Sequence, residues 1–486
     1  MRASKRIGPL LVAGVSVAAV ALSGAFGTAS AMAETPGEQC SGLSINGQGS
    51  SLQKIAQEIW TGLPTLTAGK GFNDHTGSSL ACSGTQGSRG KPMVTYTSSS
   101  SGKGQEVWSA NVEGKKPGEP NTPSASGDAF IGSDEPLTPK QMENIDEAAG
   151  AGARGKGQAL VIPVAQAAVA VIVNPPSLCD ITAITNENLA LVWSGSLDKW
   201  SQITGGASEG AGVTELTAGA CNTLISRVVR QDASGTTFVF KSYLENIQEL
   251  ATVCSGETKT WKQYAEPANN LLWPEKCGGG RVLPAARSGG GGEAELVFQE
   301  LGTIGYANLG DARAKFVLGN RGPDGDYYHW LKIQNQGLRK EPYVYPGTSL
   351  AEPTDTKGNA NCVGTTYSNL PIGMGPDDNW SAVSGVHTGG NKDEPGISNK
   401  SYPICTLTYD VGLVSYTQAG FADPNGVGTT AYDYLSYITS TLGQNEIGGE
   451  GDGNSIGGQD YLPLEGEVHT KAEETAYLVG GGLRRP

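Results

Sequence analysis

Short β-branched runs alternate along this chain with segments of helical period, and small polar turns join them. Ser44 to Trp60 begins with a brief lead-in ending at Gly47-Gln48-Gly49-Ser50-Ser51. Leu52, Ile55, Ala56, Ile59 and Trp60 then mark one helical face. Met93 to Trp108 repeats the pattern: Val94 and Tyr96 alternate with polar residues, Ser98 to Gly102 form a small-residue turn, and Val107-Trp108 sit on the helix after it. Ala129 to Thr138 predicts a strand ending at Gly132-Ser133-Asp134, with Pro136 holding the approach extended. Ala159 to Pro175 is almost continuously apolar and rich in valine, which fits a buried strand or strand pair. Leu189 to Trp200 reads as a helix end and turn. Ser288 to Gly292 opens a helix over Glu293 to Leu301, and Gly302 to Asn308 reads as a strand. Gly114 to Gly127 and Gly310 to Ser401 are rich in loop-forming residues and predict loops. Tyr402 to Val414 returns to strand character, Tyr432 to Leu442 to helix, and Gly448 to Gly458 to loop.

One stretch combines this pattern with chemistry. Arg227 to Leu244 reads RVVRQDASGTTFVFKSYL. Val228 and Val229 lead to Arg230, a polar turn follows, and Phe240, Tyr243, Leu244 and Ile247 recur at helical spacing. Ser234 is placed to cap that helix, and Gly235 lets a ligand approach the backbone. Free amide hydrogens at a helix start attract anions, and an arginine just before them adds a fork matched to a tetrahedral oxyanion. Asp232 is placed to orient Arg230 through a salt bridge, or simply to cap the turn. Asp134, just beyond its own strand, supplies an acceptor. Phosphate keeps a proton at neutral pH and sulfate keeps none, so a buried carboxylate beside the anion accepts from phosphate and repels sulfate. The bland reading of Asp134 is a turn or cap residue.

Composition narrows the setting. Of 486 residues, Met1 to Ala33 has the basic start, apolar centre and small-residue end of a cleavable secretory signal, leaving 453 residues, enough for two or more lobes. No later run reaches the length of a membrane span, and Cys40 lacks the small-residue motif that precedes lipid attachment, so the expected product is extracellular or periplasmic. The signal carries three basic and no acidic residues, so its loss takes the net charge from −14 to −17. That argues against a nucleic-acid or anionic-membrane partner. It does not exclude a small anion held locally in a cleft. Eight cysteines, all after the signal and none in C-x-x-C spacing, predict four disulfides. Sequence leaves the connectivity open; pairing neighbours in order (Cys40–Cys82, Cys179–Cys221, Cys254–Cys277, Cys362–Cys405) closes the shortest loops. The four histidines are scattered, and neither H-E-x-x-H, G-x-S-x-G nor a P-loop ending is present, so no metal, cofactor or catalytic residue is expected.

Taken together, the segments resemble the periplasmic phosphate-binding proteins of ABC importers, from about Ile45 to Leu464. The carriers are Gly47-Gln48-Gly49-Ser50-Ser51, Ser100-Ser101-Gly102, Gly132-Ser133-Asp134-Glu135-Pro136-Leu137, Arg230 through Thr237, Gly305-Tyr306 and Tyr402-Pro403-Ile404. The resemblance implies an α/β, two-lobed periplasmic-binding-protein type II fold with two crossover strands. Lobe one would combine residues 40–163 with 306–486, and lobe two would span 164–305. It implies phosphate binding by Arg230, Ser234, Gly235 and Thr236 from the second lobe. Ser51, the backbone of Leu52, Ser100 and Asp134 would bind from the first, with Asp232 in support. Where the family has a threonine and an aromatic, this chain has Ser51-Leu52. The serine run before Gly102 is one residue short, which leaves Ser101 as the alternative to Ser100. The implied protein is a monomer that captures inorganic phosphate and delivers it to a membrane ABC phosphate permease, with no nucleic-acid partner. Two rival readings are a secreted surface or adhesion protein that kept the fold, and a phosphoesterase-like enzyme.

Overall fold

The structure, a computed structural model, describes residues 42–62, 71–73, 92–150, 158–205, 211–247, 261, 271–274, 281–285, 287–317, 328–335, 343–347, 360–363, 365, 367–373, 375–376, 378–383, 401–448 and 460–481. The expected signal at 1–33 and the pairs Cys40–Cys82 and Cys254–Cys277 lie outside them.

Among the described residues eight strands form the path of the central sheet: β1 (Ile45–Gly49), β2 (Val94–Ser98), β3 (Asp128–Ser133), β4 (Ala159–Asn174), β5 (Ser226–Val229), β6 (Arg281–Pro284), β7 (Thr303–Asn308) and β8 (Cys405–Leu413). Their order is β2-β1-β3-β8-β4-β7-β5-β6. β1 is parallel to β2 and β3, and β5 is parallel to β6 and β7. β8 runs antiparallel between β3 and β4, and β4 runs antiparallel to β7.

β4 joins the two halves. Residues 159–168 pair with β8 and residues 169–174 pair with β7. All 16 positions are buried, so the apolar run is one strand rather than a pair. Pro163 interrupts it without breaking it. Proline offers no N–H, and the ladder shifts register between Thr408 and Tyr409, where Tyr409 faces Pro163.

Four helices follow parallel strands directly: α1 (Lys54–Thr61) after β1, α2 (Ser101–Val107) after β2, α3 (Gly235–Ile247) after β5 and α4 (Gly290–Gln299) after β6. Their starting turns therefore gather at the carboxyl ends of the strands, where open α/β sheets bind ligands.

Several expectations need correction. Residues 310–401, read as loop, include most of the helix Leu309–Val317 and the short strands His329–Trp330, Lys332–Gln334 and Tyr343–Val344. Asn308 Oδ1 accepts from the Asp311 N–H at 2.7 Å and starts that helix. Strand 329–330 pairs with Val173 and Ile172 of β4, and 332–333 pairs with Ala183 and Ile184. The helix read over Tyr432–Leu442 is two, Pro424–Thr439 and Thr441–Gly448, divided at the extended Ser440. The first starts early because Asp423 caps it through the Gly426 N–H at 3.0 Å, with Pro424 in its first turn. Pro139–Ala148, opened by a Thr138–Gln141 capping box, and Gly466–Ala476 were not anticipated.

Two disulfides are described, Cys179–Cys221 and Cys362–Cys405, both pairs of cysteines adjacent in sequence. The second closes a separation of 43 residues and ties the segment around Cys362 to the start of β8. Replacing Cys362 and Cys405 by alanine should lower the unfolding free energy by about 3–4 kcal/mol. Urea titration reads this directly, and an unmoved midpoint would refute it. Among the described residues no helix is long and apolar enough to cross a membrane.

Candidate anion-binding site

Asp134 follows β3 and is 2% exposed. Its Oδ1 accepts from Ser50 Oγ at 2.6 Å and Thr408 Oγ1 at 2.7 Å, and Oδ2 accepts from Ser101 Oγ at 3.2 Å. Burial pushes this carboxyl up from its ordinary range, while the three hydroxyl donors and Arg230 pull it down. Backbone geometry explains the meeting. Gly49 has φ +150°, and a Cβ there would lie 2.1 Å from Gly132 O, so β1 and β3 end in contact. The Ser50 N–H accordingly bonds Gly132 O at 2.9 Å. On the other side Tyr409 pairs with Ser133, which sets Thr408 beside Asp134.

Arg230 follows β5 on the opposite half of the sheet and is also 2% exposed. Asp232 grips it with both oxygens, Nε to Oδ1 at 2.7 Å and Nη2 to Oδ2. Burial works against the guanidinium charge, but the bonds to Asp232 and the charges of Asp232, Glu293 and Tyr306 together raise the pKa. Arg230 Nη2 also reaches Ser51 Oγ at 3.4 Å, whereas Nη1 is buried with no hydrogen-bond partner among the described residues. Behind Arg230, Glu293 accepts from the Tyr306 N–H at 2.9 Å, and burial pushes its carboxyl well above the usual range.

The turn after Arg230 folds as its sequence predicts. Ser234 Oγ accepts from the Thr237 N–H at 3.3 Å and caps α3. Gly235, the first residue of α3, lies against the other half of the sheet. A Cβ built on it would sit 2.5 Å from Ser101 Oγ and 2.6 Å from Asp134 Oδ2, so only glycine allows this approach. Thr236 Oγ1 is buried without a partner among the described residues. Thr237 Oγ1 bonds Tyr306 Oη at 2.7 Å, and the Tyr306 ring stacks on Phe240 with centroids 4.6 Å apart.

The structure thus brings Ser51, Arg230 and Asp232 into one set of contacts and Asp134 and Gly235 into another, with Ser234 and Thr236 flanking Gly235. Two expected residues are engaged otherwise. The Leu52 N–H donates to Ser50 Oγ at 3.0 Å. Ser100 Oγ caps α2 by accepting from the Lys103 N–H at 3.2 Å, and it is Ser101 that faces Asp134. Sequence reading missed Ser50 and Thr408. Ser50 lay inside a quoted glycine-serine turn. Thr408 sits within a strand and carries no motif. What has assembled is a buried guanidinium, a capped helix start, an unpartnered hydroxyl and a carboxylate acceptor. Such a set can hold a tetrahedral oxyanion that carries a proton. Among the described residues no cluster of His, Cys, Asp and Glu could hold a metal ion.

Comparison with known proteins agrees with this architecture. The sequence profile described as the PBP superfamily domain matches residues 71–348, more than half of the chain. The phosphate-binding protein PstS of Xylella fastidiosa (strain Temecula1 / ATCC 700964) is 30% identical over 128 residues, which span 26% of this chain and 28% of that protein. Among solved structures, a high affinity periplasmic phosphate-binding protein (PfluDING) bound with phosphate aligns with a TM-score of 0.51 at 16% identity, over 88% of this chain and 92% of that one. A phosphate-binding protein from Stenotrophomonas maltophilia aligns with a TM-score of 0.50 at 16% identity, over 90% and 95%. At these identities the structural likeness shows the fold, which is the two-lobed periplasmic-binding-protein fold. The chain belongs to the PBP superfamily.

Proposed function

We propose that this protein is an extracytoplasmic solute-binding protein that captures inorganic phosphate between its lobes for import by a membrane ABC permease. The observation that carries this reading is the pair of orphaned donors, Arg230 Nη1 and Thr236 Oγ1, buried within the same turn that faces Asp134. A buried polar group left unpaired costs about 1–3 kcal/mol, more when charged, so an anion that satisfies both stabilises the site. In this reading Arg230, Ser51, Ser234, Gly235 and Thr236 donate to phosphate, and Asp134 accepts its proton. Asp232 holds the guanidinium flat. Leu52 acts through Ser50, and Ser101 takes the place first considered for Ser100. Because Asp232 already balances Arg230, the anion is held by oriented dipoles more than by net charge, which fits an acidic protein.

The same proposal extends to the whole chain. Residues 1–33 direct export and are removed, and the mature protein acts as a monomer. The lobes meet at β4, with 329–334 grouped with the second lobe by its pairing. PstS of Xylella fastidiosa, bearing the name of a phosphate-binding protein, supports the ligand class.

Titration calorimetry with phosphate, arsenate and sulfate tests this function. Phosphate should bind tightly, arsenate more weakly and sulfate hardly at all. Absent phosphate binding, or equal sulfate binding, sinks the proposal, and release of phosphate from a chromogenic ester would favour the phosphoesterase reading instead. Asp134→Asn should lower the phosphate-to-sulfate affinity ratio by at least about tenfold, because the amide can donate to sulfate. An unchanged ratio would remove Asp134 from the selectivity role. Binding needs Asp134 ionised, so affinity should be present above its pKa and lost as pH falls through it.

A further inference from the structure

Each hydroxyl on Asp134 has its own acceptor position filled by an N–H whose polarity cannot reverse. Gln53 Nε2 lies 2.7 Å from Thr408 Oγ1 and 2.8 Å from the backbone carbonyl of Tyr409. A carbonyl only accepts, so this end of the Gln53 amide is its nitrogen and Thr408 Oγ1 accepts from it. The Thr408 proton is left to point at Asp134 Oδ1, 2.7 Å away. The Leu52 N–H fixes Ser50 in the same way at 3.0 Å, and the N–H of Asp134 itself fixes Ser101 at 3.1 Å.

Gln53 is held in turn. Its Oε1 accepts from Gln57 Nε2 at 3.2 Å, and Gln57 Oε1 accepts from Tyr434 Oη at 2.6 Å. Gln53, Gln57, Thr408 and Tyr434 are all buried, so no water competes for these directions.

Oδ1 therefore receives two hydroxyl protons and Oδ2 receives one. Two acceptances fill a carboxylate oxygen, so among the described residues one position remains, on Oδ2. That oxygen is the one beside Gly235 at the start of α3.

We infer that Thr408, oriented by Gln53, is a positioning residue that keeps Asp134 an ionised acceptor with one open lone pair, on Oδ2, for the proton of a bound oxyanion. The inference rests on the phosphate reading above. Without the Thr408 hydroxyl, Oδ1 loses a charge-assisted bond and Asp134 protonates more readily. A protonated Asp134 donates, and a donor there accommodates sulfate. Were Thr408 only a packed core residue, its hydroxyl would affect stability and leave selectivity alone.

The test compares Thr408→Val, which swaps the hydroxyl for a methyl at constant shape, with Thr408→Ser, which keeps it. Phosphate and sulfate affinities of the full mature chain are measured by calorimetry from acid to mildly alkaline pH. In Thr408→Val the acid loss of phosphate binding should move up by about one pH unit, and the phosphate-to-sulfate ratio should fall about tenfold. Thr408→Ser should match the unsubstituted protein. Ser50→Ala removes the other Oδ1 donor and should shift both readouts the same way, which decides the matter if Thr408→Val does not fold. A folded Thr408→Val with an unchanged acid limb and ratio overturns the inference, as does an equal shift in Thr408→Ser. The unsubstituted protein reports separately on phosphate binding: if it binds and the variants do not differ, only the role of Thr408 fails.

Discussion

Arg230→Met should reduce phosphate affinity by about three orders of magnitude. Among the described residues of the site, the guanidinium is the one side chain with a charged, buried and unpartnered N–H. Two charge-assisted bonds at about 1.5–3 kcal/mol each give about 3–6 kcal/mol, or two to four decades of affinity. Arg230→Lys should recover little, because an ammonium cannot face Asp232 with two donors and still present a third to the ligand. Calorimetry gives the affinities, and a thermal melt checks folding. A folded Arg230→Met that binds phosphate within about threefold of the unsubstituted protein would remove the arginine from the site.

Gly235→Ala should be nearly as damaging, for a steric reason. The new methyl would have to occupy space 2.5 Å from Ser101 Oγ and 2.6 Å from both Asp134 Oδ2 and Asp134 Cβ. Neither neighbour can yield easily. Asp134 is fixed by three hydroxyls, and Ser101 is bonded to both the side chain and the N–H of Asp134. Overpacking of this kind costs about 1–3 kcal/mol. It falls on the contact between the start of α3 and the other half of the sheet. Phosphate affinity should fall by about a hundredfold, with a smaller loss in melting temperature. Unaltered affinity would mean that α3 and Asp134 do not need this approach for binding.

How much of this was visible beforehand depends on distance along the chain. The turn from Arg230 to Thr237 was legible because its chemistry is local. The arginine, its aspartate and the capping serine lie within five positions and behave as those residue types do at a helix start. The placement of Asp134 opposite that turn came from resemblance alone, since no local rule joins residues so far apart. Thr408 was invisible. It lies 274 positions from Asp134 and reaches it only because β8 inserts between β3 and β4 in one particular register. The resemblance named Ser100 and left Ser101 as the alternative, and in the structure the first hydroxyl caps α2 while the second bonds Asp134. The early turns of Pro424–Thr439 were hidden for another reason. Gly426 and Gly428 pack where a side chain would strike Leu43 or Tyr416, so the segment shows no apolar stripe.

β4 has a mechanical consequence. A strand that is hydrogen-bonded first to β8 and then to β7, and buried along its whole length, offers no slack loop at that crossing. Strands 461–462 and 329–330 give it further partners at Ala167 and Gln166 and at Val173 and Ile172. The two halves of the sheet are joined there by something closer to a torsion bar than a pivot. Relative rotation must be drawn from the twist of several peptide units at once, and an elastic element of that kind returns to its starting angle when the load is released.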